Sequence, residues 1–439
     1  MQPRVESGKI SVLDRTCVGG WGQVITRRHI FYVAGNDPRG VDSYYRLFQR
    51  ELGRFQKISS VDATVSELHI EADKPNAYWS VTAQNAQRRV TTTYDFLRWD
   101  DLIAANMKRP MWQRYLLAFI CFFKNLANGT IARIFLASWQ CGLVYIYPTI
   151  GLVLTLIGPL ALGWSVAHLA SDFAGLTGWW PLIAGCIAAA LSFPIAVRIA
   201  NKAFVAQLTE ARLWYDDWAY RRRPDYIERT DTFARQIIAR TRAGNVDEVL
   251  VIGHSGGGAI ALLIMARALE IDPTFALAVP HAALATLGSL LPITALHRHA
   301  DHIREAIRRV ASEPSVTWVD IQARPDPMNF YRFDPVRDIG LNVDKQCNPM
   351  IWRFSMKDLV SPEQYRRLRW NFFRMHFQFI MANDRITYYD YFTMVCGPTS
   401  LADRARPASI LVAKPASAEA GLEPHPSPIN QAVDRYANP

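Results

Sequence analysis

The stretch DEVLVIGHSGGGAIALL, residues 247–263, decides how the rest of the chain is organised. It begins with aliphatic residues typical of a buried strand, passes a glycine-rich turn and continues as an apolar helix-forming segment. Gly253, Ser255 and Gly257 form the pattern G-x-S-x-G, which presents a nucleophilic serine when it lies between a strand and a helix. Glycines suit a turn that is too tight for side chains and has a strained backbone. We therefore predict that Ser255 is a nucleophile; the alternative is a chance match in an ordinary strand–loop–helix.

The composition is that of a large, basic chain. Half of the 439 residues are hydrophobic, and 49 Lys and Arg against 39 Asp and Glu give a net charge of +10. Such an excess suits nucleic acid or an anionic membrane surface. Because the chain has no zinc-type cysteine spacing and no RNA-binding aromatic signature, we predict no nucleic-acid partner. The scattered cysteines favour unpaired thiols, and the first 28 residues lack the apolar run of a signal peptide.

Two apolar stretches without charged residues, 141–170 and 176–197, predict transmembrane helices at about residues 141–170 and 176–199. Each exceeds the roughly 20 residues that cross a hydrocarbon core, and prolines such as theirs are tolerated in membrane helices. The alternative is a buried helical hairpin of a soluble protein. Lys and Arg flank both stretches and are absent from the link between them, so we expect the flanks, and with them the rest of the chain, to face the cytoplasm.

The segments beside these stretches are also predicted to contact lipid. Residues 111–136 are apolar but include Lys124, Asn125 and Arg133, which predicts an interfacial amphipathic helix rather than a third span. Trp214 and Trp218 lie one helical turn apart beside basic residues and are predicted to extend the surface that binds membrane lipids.

Outside the membrane segment, strands alternate with helices, which indicates an α/β fold. Strands are predicted at residues 29–35, 91–99, 283–291, 315–323 and 351–356, a hairpin at 66–71 and 77–83, and helices at 41–56, 226–243 and 301–310. We divide the chain into an N-terminal segment (1–28), a first part of the α/β domain (29–104), a membrane insertion (105–223), a second part (224–400) and a disordered tail (401–439).

With its strand, turn and helix, the segment around Ser255 resembles the nucleophile elbow of the α/β-hydrolase superfamily, and the resemblance extends over residues 29–104 and 225–396. Members of that superfamily carry G-x-S-x-G after a central parallel strand and keep the chain order Ser, acid, His. The resemblance implies a mostly parallel sheet with helices on both faces and a serine hydrolase activity. The insertion of about 120 residues departs from the common pattern, at a position where lids and caps often occur.

The same order selects the other catalytic candidates. Only His376 and His425 follow an acid that itself follows the strand at 315–323, and His425 lies among prolines in the tail. His376 is therefore the predicted base, with a packed core histidine as the alternative. Asp326 lies just past the strand end between two prolines and is the predicted acid. Asp334 and Asp338, later in the same loop, remain alternatives.

The resemblance further implies an oxyanion hole made of two backbone N–H groups. One belongs to Gly256, and the other comes from the loop after the first strand, from Gly35 or Asn36. His254 is treated as structural because adjacent residues on an elbow point apart. No metal and no organic cofactor is implied.

Together these features predict a membrane-anchored serine hydrolase that cleaves an acyl ester or thioester through an acyl-enzyme on Ser255. A small-molecule or lipid ester is the expected substrate, because the anchor confines the site near the bilayer. Two alternatives remain open. The same site could transfer the acyl group to an alcohol or amine, or the chain could be a non-catalytic membrane protein with a hydrolase-like binding domain.

Overall fold

The computed structural model describes residues 24–71 and 74–405. The strands are β1 (Arg27–Val33), β2 (Asp62–Val65), β3 (His69–Ile70), β4 (Asn76–Gln84), β5 (Arg89–Leu97), β6 (Glu248–His254), β7 (His281–Leu287), β8 (Val316–Arg324) and β9 (Met350–Ser355). The helices before β6 are α1 (Val41–Ile58), α2 (Asp100–Met107), α3 (Met111–Ala127), α4 (Thr130–Ala137), α5 (Trp139–Asp172), α6 (Trp180–Lys202), α7 (Val205–Ala219) and α8 (Pro224–Arg242). The later helices are α9 (Gly256–Ile271), α10 (Leu291–Ala295), α11 (Asp301–Ser312), α12 (Met356–Leu359), α13 (Pro362–Leu368), α14 (Phe372–Phe377), α15 (Tyr391–Cys396) and α16 (Leu401–Ala405).

All nine strands of the described residues belong to one sheet, in the order β2-β4-β5-β1-β6-β7-β8-β9, with β3 paired to β4. The six strands from β5 to β9 in this order are parallel, and β2, β3 and β4 pair antiparallel at one edge. The predicted α/β class and the mostly parallel sheet are therefore confirmed. The strand expected at residues 283–291 ends earlier, at Leu287, because Gly288 turns the chain with a φ of +50°.

Both faces of the sheet are covered, as a continuous run of apolar strand residues requires. In β6, Val249 and Val251 pack into one core, which includes α8 and α9, whereas Leu250 and Ile252 pack into the other, which includes α1. Strands β1 and β6 are neighbours, but the helices that follow them lie on opposite faces. Their carboxyl ends therefore border a crevice of the kind in which α/β proteins bind ligands.

Between β5 and β6 the chain forms the inserted helices α2 to α7. Within the described residues two helices are long and apolar enough to cross a membrane: α5, with 34 residues and a mean hydropathy of 1.9 in its most apolar window, and α6, with 23 residues and 2.0. Helix α5 would be about 50 Å long, well beyond a hydrocarbon core of about 30 Å. One side of its first turns is packed against protein, since Cys141, Tyr145 and Leu152 are buried.

Residues 111–136 do not form the single helix that was predicted. They form α3 and α4, which meet at an angle of 75°; taken together, this bent pair is also apolar enough for a span. The break occurs at Gly129, which has a φ of +74°, and the side chain of Asn128 accepts a hydrogen bond from the N–H of Thr130. A left-handed residue cannot continue a helix, and glycine adopts this conformation at little cost.

Trp214 and Trp218 do not contact a membrane surface, which corrects the prediction for this pair. Both are buried, at 1% and 6% exposure, in the core that lies between α7 and the sheet. The Trp214 ring contacts Trp99 edge-on, and the Trp218 ring stacks on Tyr226. Helix α7 thus joins the insertion to the α/β core.

At its C-terminal end, the described chain continues a little beyond the predicted start of the tail. Leu401 and Ala405 of α16 are buried, and the Leu401 N–H donates to the carboxylate of Glu248 at 2.6 Å. The rest of the predicted tail, and residues 1–23 of the predicted N-terminal segment, lie outside the described residues.

Candidate active site

Ser255 lies at a sharp turn between β6 and α9. Its φ of +60° and ψ of −127° are unusual for a residue with a side chain, so the turn holds local strain. Three backbone hydrogen bonds fix it: the Ser255 N–H donates to Leu287 at 2.9 Å, and its carbonyl accepts from Gly258 at 3.0 Å and Leu290 at 3.1 Å. The strained elbow predicted from the motif is present.

The two glycines of the motif are required sterically. A Cβ at Gly253 would lie 2.4 Å from the carbonyl oxygen of Gly257, and a Cβ at Gly257 would lie 2.2 Å from that of Val33. Both distances are far below van der Waals contact with backbone atoms that cannot move aside. Only glycine therefore allows α9 to start this close to β1 and β6.

Asp326 and His376 form a buried pair. The Nδ1 atom of His376 lies 2.6 Å from Oδ2 of Asp326, and the two side chains are 4% and 0% exposed. The other carboxylate oxygen of Asp326 accepts the N–H of Met328 at 2.9 Å, and its backbone carbonyl accepts from Asn329. These hydrogen bonds hold the aspartate in place, and its second carboxylate oxygen, Oδ2, faces the imidazole of His376.

The alternative acids lie elsewhere. Asp334 accepts the N–H groups of Val336 and Arg337, and Asp338 accepts that of Asp334 and pairs with Arg337, so both belong to a turn of their own. Asp320 points from β8 to Thr286, where burial raises its pKa to about 6. Asp326 is the one of these four carboxylates that contacts His376.

Ser255 and His376 line one cavity of about 800 Å³. The Nε2 atom of His376 is buried and has no hydrogen-bond partner within the described part of the chain. A Cβ placed on Gly288, just after β7, would lie 3.1 Å from Cε1 of this imidazole. An imidazole with one nitrogen on a carboxylate and the other unpartnered beside a cavity is arranged to accept a proton there; such contacts often tighten only when substrate binds.

His254 has a positioning role that the motif did not reveal. Its Nε2 lies 3.1 Å from the backbone carbonyl of His376, and the two rings are 4.8 Å apart. Burial, followed by the neighbouring His376, lowers the pKa of His254 well below its usual range, so the ring is neutral and Nε2–H donates the bond. Only long-range packing could show this, because the two residues are 122 positions apart.

The loop after β1 approaches the elbow as predicted. A Cβ on Gly35 would lie 3.1 Å from the Cβ of Ser255 and 3.4 Å from the amide nitrogen of Gly256. Asn36 follows in the wall of the same cavity. Asp37 braces the loop by pairing with Arg39 and accepting the Tyr44 hydroxyl at 3.0 Å. The Gly256 N–H begins α9 and has no acceptor within the helix, so it is available to a ligand.

The insertion supplies much of the remaining wall. One face of α7 lines the cavity through Leu208, Ala211, Arg212 and Tyr215, a spacing that recurs with each helical turn. The hydroxyl of Tyr215 would be 2.9 Å from a Cβ on Gly256, which places a phenol directly beside the elbow. Nothing in the sequence pattern connected α7 with the site.

Further contributors to the wall are mostly apolar: Cys141, Val144 and Tyr145 of α5, Phe204 after α6, Leu290, Ile293, Met328, Phe373 and Phe377. Metal ligation has no support within the described ranges, where no group of three His, Cys, Asp or Glu residues is close enough to hold an ion. The arrangement therefore combines a hydroxyl, an imidazole–carboxylate pair and backbone amides with a large apolar space.

Comparisons of the chain with protein-family models, with curated proteins and with solved structures find no match.

Proposed function

We propose that the protein is a membrane-anchored serine hydrolase of the α/β-hydrolase superfamily that cleaves an acyl ester or thioester. The observation that carries this proposal is the 2.6 Å contact between His376 and Asp326 in the same cavity as a serine held at a φ of +60°. Nucleophile, base and orienting acid occur in the chain order of that superfamily. A hydroxyl, an imidazole and a carboxylate in this relation are the groups that acyl transfer needs.

The proposed reaction has two halves. Nε2 of His376 takes the proton of Ser255 as Oγ bonds to the acyl carbon, and Asp326 stabilises the imidazolium. The oxyanion is bound by the Gly256 amide and by an amide of the Gly35–Asn36 loop. His376 then protonates the leaving oxygen or sulfur as its bond to the acyl carbon breaks. In the second half, water gives a proton to His376 as its oxygen bonds to the acyl carbon; the bond from that carbon to Oγ then breaks, His376 returns the proton to Oγ, and the acid is released.

The substrate is proposed to be a small or lipid-like ester, because apolar side chains from the insertion line the cavity. Phe204, which follows the apolar helix α6, lines it together with Phe373, and their ring centroids are 4.2 Å apart. An acyl chain that leaves the bilayer near the end of α6 would enter the cavity along this apolar wall. Membrane lipids are thus the proposed surroundings of the site, whose catalytic side is proposed to face the cytoplasm.

Labelling with a fluorophosphonate probe tests the proposal. Wild-type protein should be labelled, and Ser255→Ala should not. Turnover of a short acyl ester should fall by about three orders of magnitude or more in His376→Ala and Asp326→Ala. Asp334→Ala, in the separate turn, is the matched control and should keep its activity. A folded wild-type protein that resists labelling would support the non-catalytic alternative, and an acylated alcohol among the products would support acyl transfer.

A further inference from the structure

The cavity has a strongly basic lining. Its charged residues, apart from His254 and His376, are five arginines and one aspartate: Arg39, Arg46, Arg50, Arg212, Arg374 and Asp37. The aspartate is already paired with Arg39. Four of the arginines are exposed, and Arg212 alone is buried, with 2% of its surface accessible. Water and mobile ions can solvate and screen the four exposed guanidinium groups, whereas the buried guanidinium of Arg212 is largely removed from both.

The guanidinium of Arg212 has neutral partners only. Nη1 donates to the hydroxyl of Thr149, and Nη2 donates to the carbonyl of Ala118 at 2.9 Å. Nε is buried and has no partner, and no carboxylate of the described residues lies within 4.0 Å of the group. Two of its five N–H groups are therefore used, and Nε–H has no acceptor in the described part of the chain.

Nearby acids do not compensate this charge. Glu210, on the same helix, is bound by Arg109 and Arg114, and Asp216, one turn further along, is bound by Lys124 and Arg222. Each of these carboxylates already faces two cations. An arginine cannot discard its proton in the way that a buried lysine can. The buried positive charge of Arg212 therefore lacks a counter-ion in the chain that surrounds it.

The position of Arg212 relates this charge to the elbow. Arg212 and Tyr215 are three residues apart on the cavity-lining face of α7, which is a rise of about 4.5 Å along the axis. Tyr215 in turn contacts the region of Gly256. Arg212 and Ser255 line the same cavity, so one substrate could place an anionic group beside Arg212 and an acyl carbon at Ser255.

We propose that Arg212 binds an oxyanion of the substrate, so that the cavity takes an acyl donor that carries a phosphate group. This inference rests on the proposed acyl-transfer function of Ser255. The free Nε–H and a neighbouring Nη–H can together bind two oxygens of a phosphate. The phosphate can belong to a phospholipid or to a water-soluble acyl thioester, and the two sources share this recognition.

Binding is tested without catalysis. Purified Ser255→Ala protein in maltoside micelles is titrated calorimetrically with hexyl phosphate and with its neutral dimethyl ester, which has a similar shape. We expect hexyl phosphate to bind about 10- to 100-fold more tightly, and Arg212→Gln, made in the same background, to abolish the difference. If the parent protein binds the two compounds equally, the proposal is overturned even if Arg212→Gln does not fold.

Two matched variants separate charge from helix packing. Thr149→Val removes a partner of Arg212 but keeps the cation, so the preference for hexyl phosphate should survive. Arg212→Lys should retain more of the preference than Arg212→Gln does. A rim variant, Arg46→Gln, should change it by about threefold at most, because exposed charges are screened. Loss of the preference in Thr149→Val to the same degree as in Arg212→Gln would show that packing alone is responsible.

Turnover distinguishes the sources. For protein with Ser255 intact, kcat/KM is measured on phosphatidylglycerol and diacylglycerol in mixed micelles, and on acyl phosphopantetheine and acyl pantetheine in solution. Arg212→Gln should lower kcat/KM for the anionic member of the pair that is turned over and spare the neutral one; an equal loss for both would contradict the proposal. If no ester is cleaved and Ser255 is not labelled, the hydrolase function fails, whereas the binding result still decides the anion site.

Discussion

The backbone conformation of Ser255 distinguishes it from a serine that matches the motif by chance. A φ of +60° with a ψ of −127° is costly for a residue with a Cβ, and the three hydrogen bonds to Leu287, Gly258 and Leu290 hold it there. The strain is therefore maintained by contacts from β7 and its following loop as well as by the motif glycines. The short motif predicted this turn because each of its two glycines lies where a side chain would clash with nearby backbone atoms.

Asp320 lies on β8 and Asp326 lies just after its end, but the two carboxylates have different environments. Asp320 is buried on β8, where it accepts hydrogen bonds from Thr286 at 2.5 Å and Gln322 at 2.8 Å. Burial raises its pKa to about 6, above the ordinary value of about 4. Between these values the native protein holds a proton that the unfolded chain has lost. Stability from this group is therefore present below pH 4 and is lost as the pH rises to 6.

We predict that Asp320→Asn removes this loss. Two pKa units correspond to about 3 kcal/mol at most, so the unfolding free energy of the wild type should fall relative to that of the variant between pH 4 and pH 6. Thermal unfolding in micelles at pH 4, 5, 6 and 7 measures the difference. Because Asp320 does not contact His376, ester turnover at pH 7 should persist in Asp320→Asn. Parallel pH profiles for the two proteins would contradict the assignment.

Helices α5 and α6 cross at two glycines. A Cβ on Gly163 would lie 2.6 Å from the carbonyl oxygen of Gly185, and a Cβ on Gly185 would lie 2.6 Å from that of Gly163. The side chains beside the crossing are also small, with Ala167 and Ala189 at 3.0 and 2.9 Å from these positions. Small residues allow helix backbones to approach closely in lipid, where packing provides much of the association energy.

We predict that Gly185→Leu forces these helices apart. The thermal midpoint in micelles should fall by several degrees, because the added side chain meets backbone atoms of the partner helix. Gly158→Leu is the matched control: it makes the same change in an apolar helix, but nothing lies within 4 Å of a Cβ at that glycine. An equal fall in both variants would mean that a general effect of leucine, rather than the crossing, is responsible.

Elements with strong local patterns could be predicted from the sequence, and the orientation of others could not. The strands at β1, β5, β8 and β9 and the helix α1 end within two residues of the predicted bounds, because their apolar periodicity is local. Helix α3 was expected to turn its polar residues to lipid headgroups. Instead Lys124 and Asn125 bind Asp216 of α7, which is more than 90 residues away. The spacing of apolar residues within α3 carries no information about so distant a partner.

The consequence for α3 is an inverted amphipathic helix. With its polar side chains turned inwards, it exposes Trp112, Leu116, Ile120 and Phe123, spaced by three or four residues along one face. A pattern of apolar and polar faces fixes which residues share a face but not which face meets the protein. The sequence predicted Asp326 and His376 as partners because the order of the superfamily that the chain resembles left few candidates, and these two side chains are in contact. The part of the cavity wall that α7 contributes could be identified only from the folded structure.

Exposed apolar surface is concentrated in the insertion. Of the 35 large hydrophobic side chains that are exposed within the described residues, 29 lie between residues 111 and 204. A soluble protein rarely exposes contiguous apolar area on this scale, so the insertion is the part of the chain suited to lipid. Trp370 and Phe372, also exposed, lie beside Phe373, whose ring contacts Phe204 at the end of α6. This contact brings the cavity next to the same surface.

Charge predicts the direction of insertion. The link between α5 and α6, residues 173–179, has no Lys or Arg, whereas Arg198 and Lys202 end α6 and several basic residues precede α5. By the positive-inside bias, we expect the link to lie outside and the flanking parts of the chain to lie in the cytoplasm. We predict that Gly175→Cys, in a variant without the six natural cysteines, reacts in intact cells with a thiol reagent that cannot cross membranes.

Gly340→Cys is the matched control for this topology. Both glycines have positive φ, +67° and +78°, and nothing lies within 4 Å of a Cβ at either, so the two cysteines should be equally strained and equally accessible to water. Gly340 lies in the loop between β8 and β9, in the part expected to face the cytoplasm, so its cysteine should react only after the cells are permeabilised. If only Gly340→Cys reacts in intact cells, the orientation is opposite to the one predicted. If both cysteines react in intact cells, both loops lie outside. If neither cysteine reacts in intact cells and both react after permeabilisation, the link between α5 and α6 lies in the cytoplasm. The two helices then do not cross the bilayer, and their apolar surface contacts something else.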